Sequence, residues 1–461
     1  MTESAKTSTP RPRRHLITSW RREALRTTLW VVPTVMTAGA VLLFLITYSV
    51  DRAVDEGRVS LPGWAITGQA DAARAVLIGI AAAVITVAGV VFSITILALQ
   101  LASQQFGPRM LRNFIRDVGT QVSLGAFVAT FVYSVLTLGS VAHGSAGDFV
   151  PHVSVTIALM LTLGDLGVLI YFIHHVATSI QVTTVVAGIA RDFRSTLAAV
   201  QEEAAGALPG PVGEEVERRE LSLRLEAGGE LVPAGTSGFL QSVGHDELLR
   251  IATGSDAVIR LLHRPGHFVV EGQPLALVWP ASAVGQVAEA LDRAHIVGSN
   301  RTLNQDPAFA VDQLVEVAIR ALSPAVNDTF TALNCIDWLG DCLCRAARRP
   351  LPSGLYRDDA GDVRLIDPTI TFERLVRKAS DQIRQAGRGM PAVLIRLLEN
   401  LRKVTVALAD PGQRGVIDDV AAMILRSSDE AIPEPSDRAD VLAAYGSLQA
   451  ALDLRSMPTG R

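Results

Sequence analysis

Residues 75–109 read AVLIGIAAAVITVAGVVFSITILALQLASQQFGPR, and no Asp, Glu, Lys or Arg occurs between Arg74 and Arg109. About 20 apolar residues suffice to cross the hydrocarbon of a bilayer, so this stretch predicts a membrane-spanning helix with length to spare. Gly107-Pro108 breaks it, because proline removes a backbone donor and clashes with the preceding turn. Three further segments meet the same criterion, at about 27–50, 119–142 and 151–178. The expected fold class is therefore membrane α-helical with four spans, followed by a cytosolic α+β part.

Composition agrees with that division. The chain has 461 residues, 19% of them charged, and a net charge of −4. Its mean hydropathy is +0.31, and the apolarity is concentrated in roughly the first 200 residues. A slightly acidic chain gives no electrostatic reason to expect a nucleic-acid partner. The bilayer is the expected partner, with ions as candidate cargo and a homo-oligomer as the expected assembly.

Residues 1–26 form a basic leader carrying Arg11, Arg13, Arg14, Arg21, Arg22 and Arg26. The apolar segment after it is too long for a secretory signal and runs into VDRAVDEG, so it reads as a retained span. The second loop is also basic, whereas the loop at 143–150 has Asp148 and no Lys or Arg. Positive-inside logic then places both termini in the cytosol.

Within the second span Gly79, Ala82, Thr86, Gly89, Ser93 and Gln100 recur at helical spacing and form one small, weakly polar stripe. Such a stripe either lets helices in the bundle approach closely or lines a pore in an oligomer. The third span repeats the pattern with Gly119, Ser123, Ala126, Thr130 and Thr137. Between the two, FGPRMLRNFIRD sets Arg109, Arg112 and Arg116 against Met110, Leu111, Phe114 and Ile115. That pattern predicts an interfacial helix, either an anchor or a basic collar at a pore mouth.

The fourth span contains the lone intramembrane acid, Asp165. A charge there is costly, so it should face the bundle interior and bond to Thr130, Tyr133 or Thr137, or stay protonated as an ion or proton site. Adjacent His174 and His175 point to different sides of the helix and do not make a metal pair.

The second half divides into a helical linker at 181–213, a β-rich part at 214–280 and a helical part at 281–461. SGFLQSVG, HRPGHFVVEGQPLALV and their spacing resemble half of a biotinyl- or lipoyl-type β-sandwich. The carrier lysine is missing, since 213–370 contains no lysine. Cys335, Cys342 and Cys344 are too few for a disulfide framework and lack the second ligand pair of a zinc site. They read as small apolar residues on a buried helix.

The most polar stretch is RTLNQDPAFAVDQLVEVAIRALSPAVNDTFTA at 301–332. Asp306-Pro307 has the pattern of a helix start, Ser323-Pro324 of a stop, and Asn327 or Asp328 of the next cap. Asp312, Glu316 and Arg320 repeat every four residues as a solvated charge stripe. Arg301, Gln305 and Asn327 remain without a capping role. The cluster Arg301, Gln305, Asp306, Asn327 and Asp328 contains no nucleophile–base pair, phosphate loop or metal set, so no enzyme, cofactor or metal is expected.

FSITILALQLASQQFGPRMLRNFIRD at 92–117, RTLNQD at 301–306 and ALSPAVNDTFTA at 321–332 resemble the uncharacterised bacterial membrane-protein family named domain of unknown function 2254. The resemblance covers about residues 20–425 and implies four spans with a cytosolic domain, without an activity or site residues. A glycine- and alanine-rich span that breaks into an amphipathic segment also loosely resembles the pore helix of small-conductance mechanosensitive channels, although two more spans intervene here. The function expected is an oligomeric channel or pore-like protein with a regulatory cytosolic domain. The alternative is a non-catalytic scaffold or sensor that recruits a cytosolic partner.

Overall fold

The computed structural model describes residues 30–106, 117–141, 149–203 and 214–454. The basic leader, the collar residues Arg109, Arg112 and Arg116, and the Pro/Gly stretch at 206–213 lie outside the described residues. The chain divides into two compact units, Met1–Gln181 and Val182–Arg461.

The first unit contains α1 (Val31–Asp55), α2 (Ala70–Phe106), α3 (Val118–Ser140) and α4 (His152–Ser179). All four are long and apolar enough to cross a membrane. At about 1.5 Å per residue even the shortest reaches roughly 35 Å. The centre of the unit is α3, which packs against α1, α2 and α4. Phe127 and Tyr133 of α3, Leu77, Val84 and Val91 of α2, and Phe172 of α4 fill the core. Gly125 is required where α3 crosses α1, because a Cβ there would lie 2.6 Å from Met36 Sδ and 3.2 Å from Pro33 Cα.

The α1 helix also completes the start of α4. Pro151 at the N-cap of α4 makes no side-chain cap, so the first backbone N–H groups of that helix need another acceptor. Asp51, buried near the end of α1, supplies it. Its Oδ1 accepts from Val153 N at 2.8 Å, and its Oδ2 from Ser154 N at 3.0 Å and Ser154 Oγ at 2.6 Å. At the opposite end of α3, Asp117 caps through Thr120 N at 2.9 Å and Thr120 Oγ1 at 2.6 Å.

In the second unit α5 (Val182–Glu203) is no free linker. Val186, Ile189, Ala190, Phe193 and Leu197 recur at helical spacing and are buried. They pack α5 on two helices of its own unit, α9 (Pro307–Ala321) and α10 (Thr329–Arg348). The next segment, expected to begin the β part, is α6 (Glu214–Gly228). Its EEVERRELSLRLEA composition is rich in strong helix formers, which favours a helix there over a strand.

Strands β1 (Glu230–Pro233) and β2 (Gly238–Val243) then lead to α7 (His245–Gly254). After it come β3 (Val258–Leu261), β4 (Phe268–Val269), β5 (Pro274–Trp279), α8 (Val284–Ala294) and β6 (His295–Gly298). Two more strands lie beyond α10, in the region expected to be helical: β7 (Leu355–Arg357) and β8 (Val363–Ile366). They complete a five-stranded sheet of order β1-β5-β3-β8-β7, antiparallel except for the β3–β8 pair. A second sheet runs β4-β2-β6. Both contribute to one core with α7 and α8, around Leu240, Leu248, Ile259, Val278 and Val287. The other face of the larger sheet receives Leu225 of α6 on Val258, Leu277 and Leu355. Helices α9, α10, α11 (Phe372–Ala386), α12 (Pro391–Ala407), α13 (Arg414–Ala431) and α14 (Pro435–Leu454) form the helical part.

Because Asp51 serves three donors at the start of α4, Asp51→Ala strands two backbone amides and a hydroxyl. The expected loss is about 1–3 kcal/mol per unsatisfied group, seen as a lower midpoint of thermal unfolding in detergent, with Asp51→Asn milder. An unchanged midpoint in Asp51→Ala would show that this cap carries no weight.

Candidate functional site

The structure turns the α2 stripe outward. Gly79, Ala82, Thr86, Gly89, Ser93 and Gln100 are all exposed, and a Cβ at Gly79 or Gly89 would meet nothing within 4 Å. The helix packs within its unit through the opposite side instead, through Leu77, Ile80, Val84, Ala88, Val91 and Ala98. Packing inside the bundle therefore does not account for the small residues. Thr86 Oγ1 donates to Ala82 O at 2.7 Å and Ser93 Oγ to Gly89 O at 2.8 Å, so both hydroxyls are satisfied within their own helix.

The corresponding polar residues of α3 behave oppositely. Ser123, Thr130 and Thr137 are buried, and a Cβ at Gly119 would lie 2.6 Å from His175 Nε2. Asp165 on α4 is buried at 6% exposure and hydrogen-bonds Thr130. His175 points to Asp117, with Nε2 2.7 Å from Oδ2, and stacks on Tyr171.

In the second unit the 301–328 residues separate into different tasks. Asp306 occupies the N-cap position of α9 and Pro307 its first turn, but the Asp306 side chain makes no cap. Its Oδ2 instead accepts from Arg301 Nε at 3.1 Å and Nη2 at 2.5 Å, and Asp306 is only 1% exposed. Arg301 Nη1 donates to Asp312 Oδ2 at 2.7 Å, and Lys378 bonds the other Asp312 oxygen. The guanidinium also lies over the Phe309 ring, 4.8 Å from its centroid. Asp312 is thus an ion-pair anchor rather than part of a solvated stripe. Gly266, at φ +92°, is the residue that lets the 264–267 turn approach, since a Cβ there would run into the Asp306 carboxylate.

Gln305 clamps the end of β2. Its Oε1 accepts from Val243 N at 2.8 Å, while Nε2 donates to Val243 O at 3.1 Å and to Glu203 Oε1 at 2.8 Å. Asn327 serves the backbone at φ +49°, a left-handed position that asparagine tolerates well. Asp328 caps α10 through Thr331 N at 3.0 Å and Thr331 Oγ1 at 2.6 Å. Arg301, Asp306 and Gln305 belong to one neighbourhood, and Asn327 with Asp328 to a separate turn.

Sequence reasoning missed His245. Its Nδ1 lies 3.0 Å from Glu203 Oε1 and its Nε2 2.9 Å from Asp367 Oδ2, with the ring stacked on Tyr356. Burial alone would push this imidazole down, but the Asp367 and Glu203 carboxylates outweigh it and raise it to about 9. The triad lines a cavity of about 50 Å³ together with Arg264, Gln305 and Leu197. His267 moves the other way, to about 4, because it is buried and Arg264, His263, Arg374 and Arg301 surround it. No group of three potential metal ligands occurs among the described residues. Cys335 and Cys342 are buried and free, and burial pushes the Cys335 thiol up to about 12.

A family model described as "Predicted membrane protein (DUF2254)" matches residues 26–403. The chain belongs to this family. Uncharacterized proteins of Mycobacterium tuberculosis and Mycobacterium bovis are 34% identical over 436 residues, covering 91% of this chain and 80% of theirs. No solved structure matches. The DUF2254 match takes in all four apolar helices, the Arg301 cluster and His245, and it ends within α12.

Two measurements test this reading of the second unit. Arg301→Ala leaves Asp306 buried without its main partner and is expected to destabilise the unit by about 3–5 kcal/mol. Joint replacement of Arg301 and Asp306 by apolar residues should recover most of that, which a binding residue would not allow. The His245 pairing is complete below its unfolded value near 6.5 and is lost as pH rises through about 9. Its contribution is on the order of 3 kcal/mol. Thermal stability should fall between these pH values, and His245→Gln should flatten the profile.

Proposed function

We propose that this DUF2254 protein is a non-catalytic, homo-oligomeric channel or pore-like protein of the bacterial cytoplasmic membrane. In this reading both termini are cytosolic and the second unit regulates the membrane unit. The observation that carries it is the outward α2 stripe. Small and weakly polar side chains from Gly79 to Gln100 face away from the protomer's own bundle, although the rest of that unit had every opportunity to cover them. Between protomers such a face allows close helix contact. Around an axis it gives ions hydroxyls and an amide in place of a wholly apolar wall. Arg109, Arg112 and Arg116 follow this helix directly in sequence and would place a basic collar at its cytosolic end.

A specific feature favours the scaffold alternative. Phe330, in the first turn of α10, is 85% exposed, and Val326 in the turn that precedes the helix is exposed too. Apolar side chains at such a tip suit a protein partner.

The decisive experiment joins cross-linking to flux. Ser93→Cys in a Cys344→Ser background should cross-link between protomers in native membranes. Purified protein in liposomes should conduct ions under voltage or membrane tension. Gly89→Leu should reduce that current to background. Absence of both cross-link and current would sink the channel reading and leave the scaffold, whose mark is a stoichiometric protein partner lost in Phe330→Asp.

A further inference from the structure

The membrane unit holds a second set of polar groups that the outward stripe does not use. At one end of α3, Asp117 bonds His175. At the other, Tyr133 Oη lies 2.9 Å from Thr47 Oγ1, Thr47 Oγ1 lies 3.0 Å from Ser154 Oγ, and Ser154 Oγ donates to Asp51 at 2.6 Å. Asp165 sits between these ends, near the middle of α4. Among the described residues its one recorded polar partner is Thr130. Asp165 Oδ2 has no partner, and neither does Ser134 Oγ, one turn along α3 from Thr130 and fully buried.

Among the described residues, no charged side chain is recorded against Asp165. On α1, Asp51 and Arg52 are confined to the last turns; on α2, Asp71 and Arg74 to the first two. The Tyr133 hydroxyl of α3 is engaged by Thr47, and His152, Tyr171, His174 and His175 of α4 lie toward its two ends. An ionised carboxylate with a single hydroxyl donor is a poor tenant of hydrocarbon. A protonated one carries no net charge and so costs far less to bury there. Sodium or another hard cation does not fit as well, since it takes several oxygen ligands.

We propose that Asp165, with Thr130 and Ser134, is a proton-transfer site at the centre of each protomer. The Asp117–His175 pair and the Asp51–Ser154–Thr47–Tyr133 chain are the polar relays that approach it from the two ends of α3. Loading converts carboxylate and proton to the acid, and unloading returns the same proton, with no other reactant. Neither relay touches Asp165, so a proton crosses only when water enters or α4 shifts against α3. The site is a gated step within one protomer, separate from the α2 face.

The test uses the full chain in liposomes carrying a pH-sensitive dye, driven by a potassium diffusion potential with valinomycin. Wild type should move protons, and Asp165→Asn, which keeps size and the Thr130 contact, should fall to the level of protein-free liposomes. Ser134→Ala removes a hydroxyl that has no partner, leaves the fold intact and should slow the flux. Infrared spectra should contain a protonated-carboxyl band that Asp165→Asn deletes. A wild type without proton flux, or an Asp165→Asn flux equal to wild type, overturns the proposal whatever the infrared result, and Asp165 is then a packing hydrogen bond. Ion current lost in Gly89→Leu but kept in Asp165→Asn separates failure here from failure of the α2 pore.

Discussion

Inside a bilayer there is no water to complete a hydrogen bond, and the membrane unit is arranged around that constraint. A helix with Thr130, Tyr133 and Ser134 along its length cannot leave those groups to lipid without cost, whereas Ser123 and Thr137 bond back to their own helix. It therefore becomes the helix that the other three surround. The position of α3 fixes much else. Gly125 admits α1, Gly119 admits the His175 ring, and Asp51 crosses from α1 to finish the turn that Pro151 cannot cap. Polar satisfaction, more than apolar burial, chooses the neighbours, because lipid tails are as apolar as leucine and reward no particular pairing.

The second unit meets the same demand with charge. Arg301 reaches two aspartates, one of them sealed from solvent, and thereby ties the 301–306 segment to α9. Gln305 acts as a peptide-like clamp on Val243 and passes a bond to Glu203 at the end of α5. Glu203 is shared with His245, which also holds Asp367 beyond β8. Helix α5, the smaller sheet and the loop after β8 are thus joined by polar contacts at one place.

How much of this was legible in the sequence follows from the range of each interaction. The four spans are local in composition, and so are the starts of α9 and α10, which is why they fall where the pattern places them. The stripe on α2 was equally legible as a stripe, yet its direction was not. A period of 3.6 identifies faces, and in lipid nothing local says which face turns inward. The fate of Arg301 and Gln305 was visible only as a residue of unexplained polarity, since their partners include Asp312, Val243 and Glu203, up to 102 positions away. His245 left no trace, with partners 42 and 122 residues distant. Strands β7 and β8 were hidden for the same reason: a three-residue and a four-residue strand acquire meaning only on the edge of a sheet built from residues a hundred positions earlier.

The two polar faces of the membrane unit place different demands on it. On α2 the Thr86 and Ser93 hydroxyls donate back to carbonyls one turn earlier, so that face is tolerable against lipid and equally tolerable against another helix. Nothing there forces a permanent partner, and association through it can be reversible. At α3 the Tyr133 hydroxyl is committed to Thr47 of α1 and Asp117 to His175 of α4, and Asp165 Oδ2 and Ser134 Oγ are buried without a partner. A face that is satisfied alone suits assembly, whereas a buried group that stays unsatisfied persists only where something else completes it. That asymmetry supports the proposals of the α2 stripe as a surface between protomers and of the Asp165 region as a site within one.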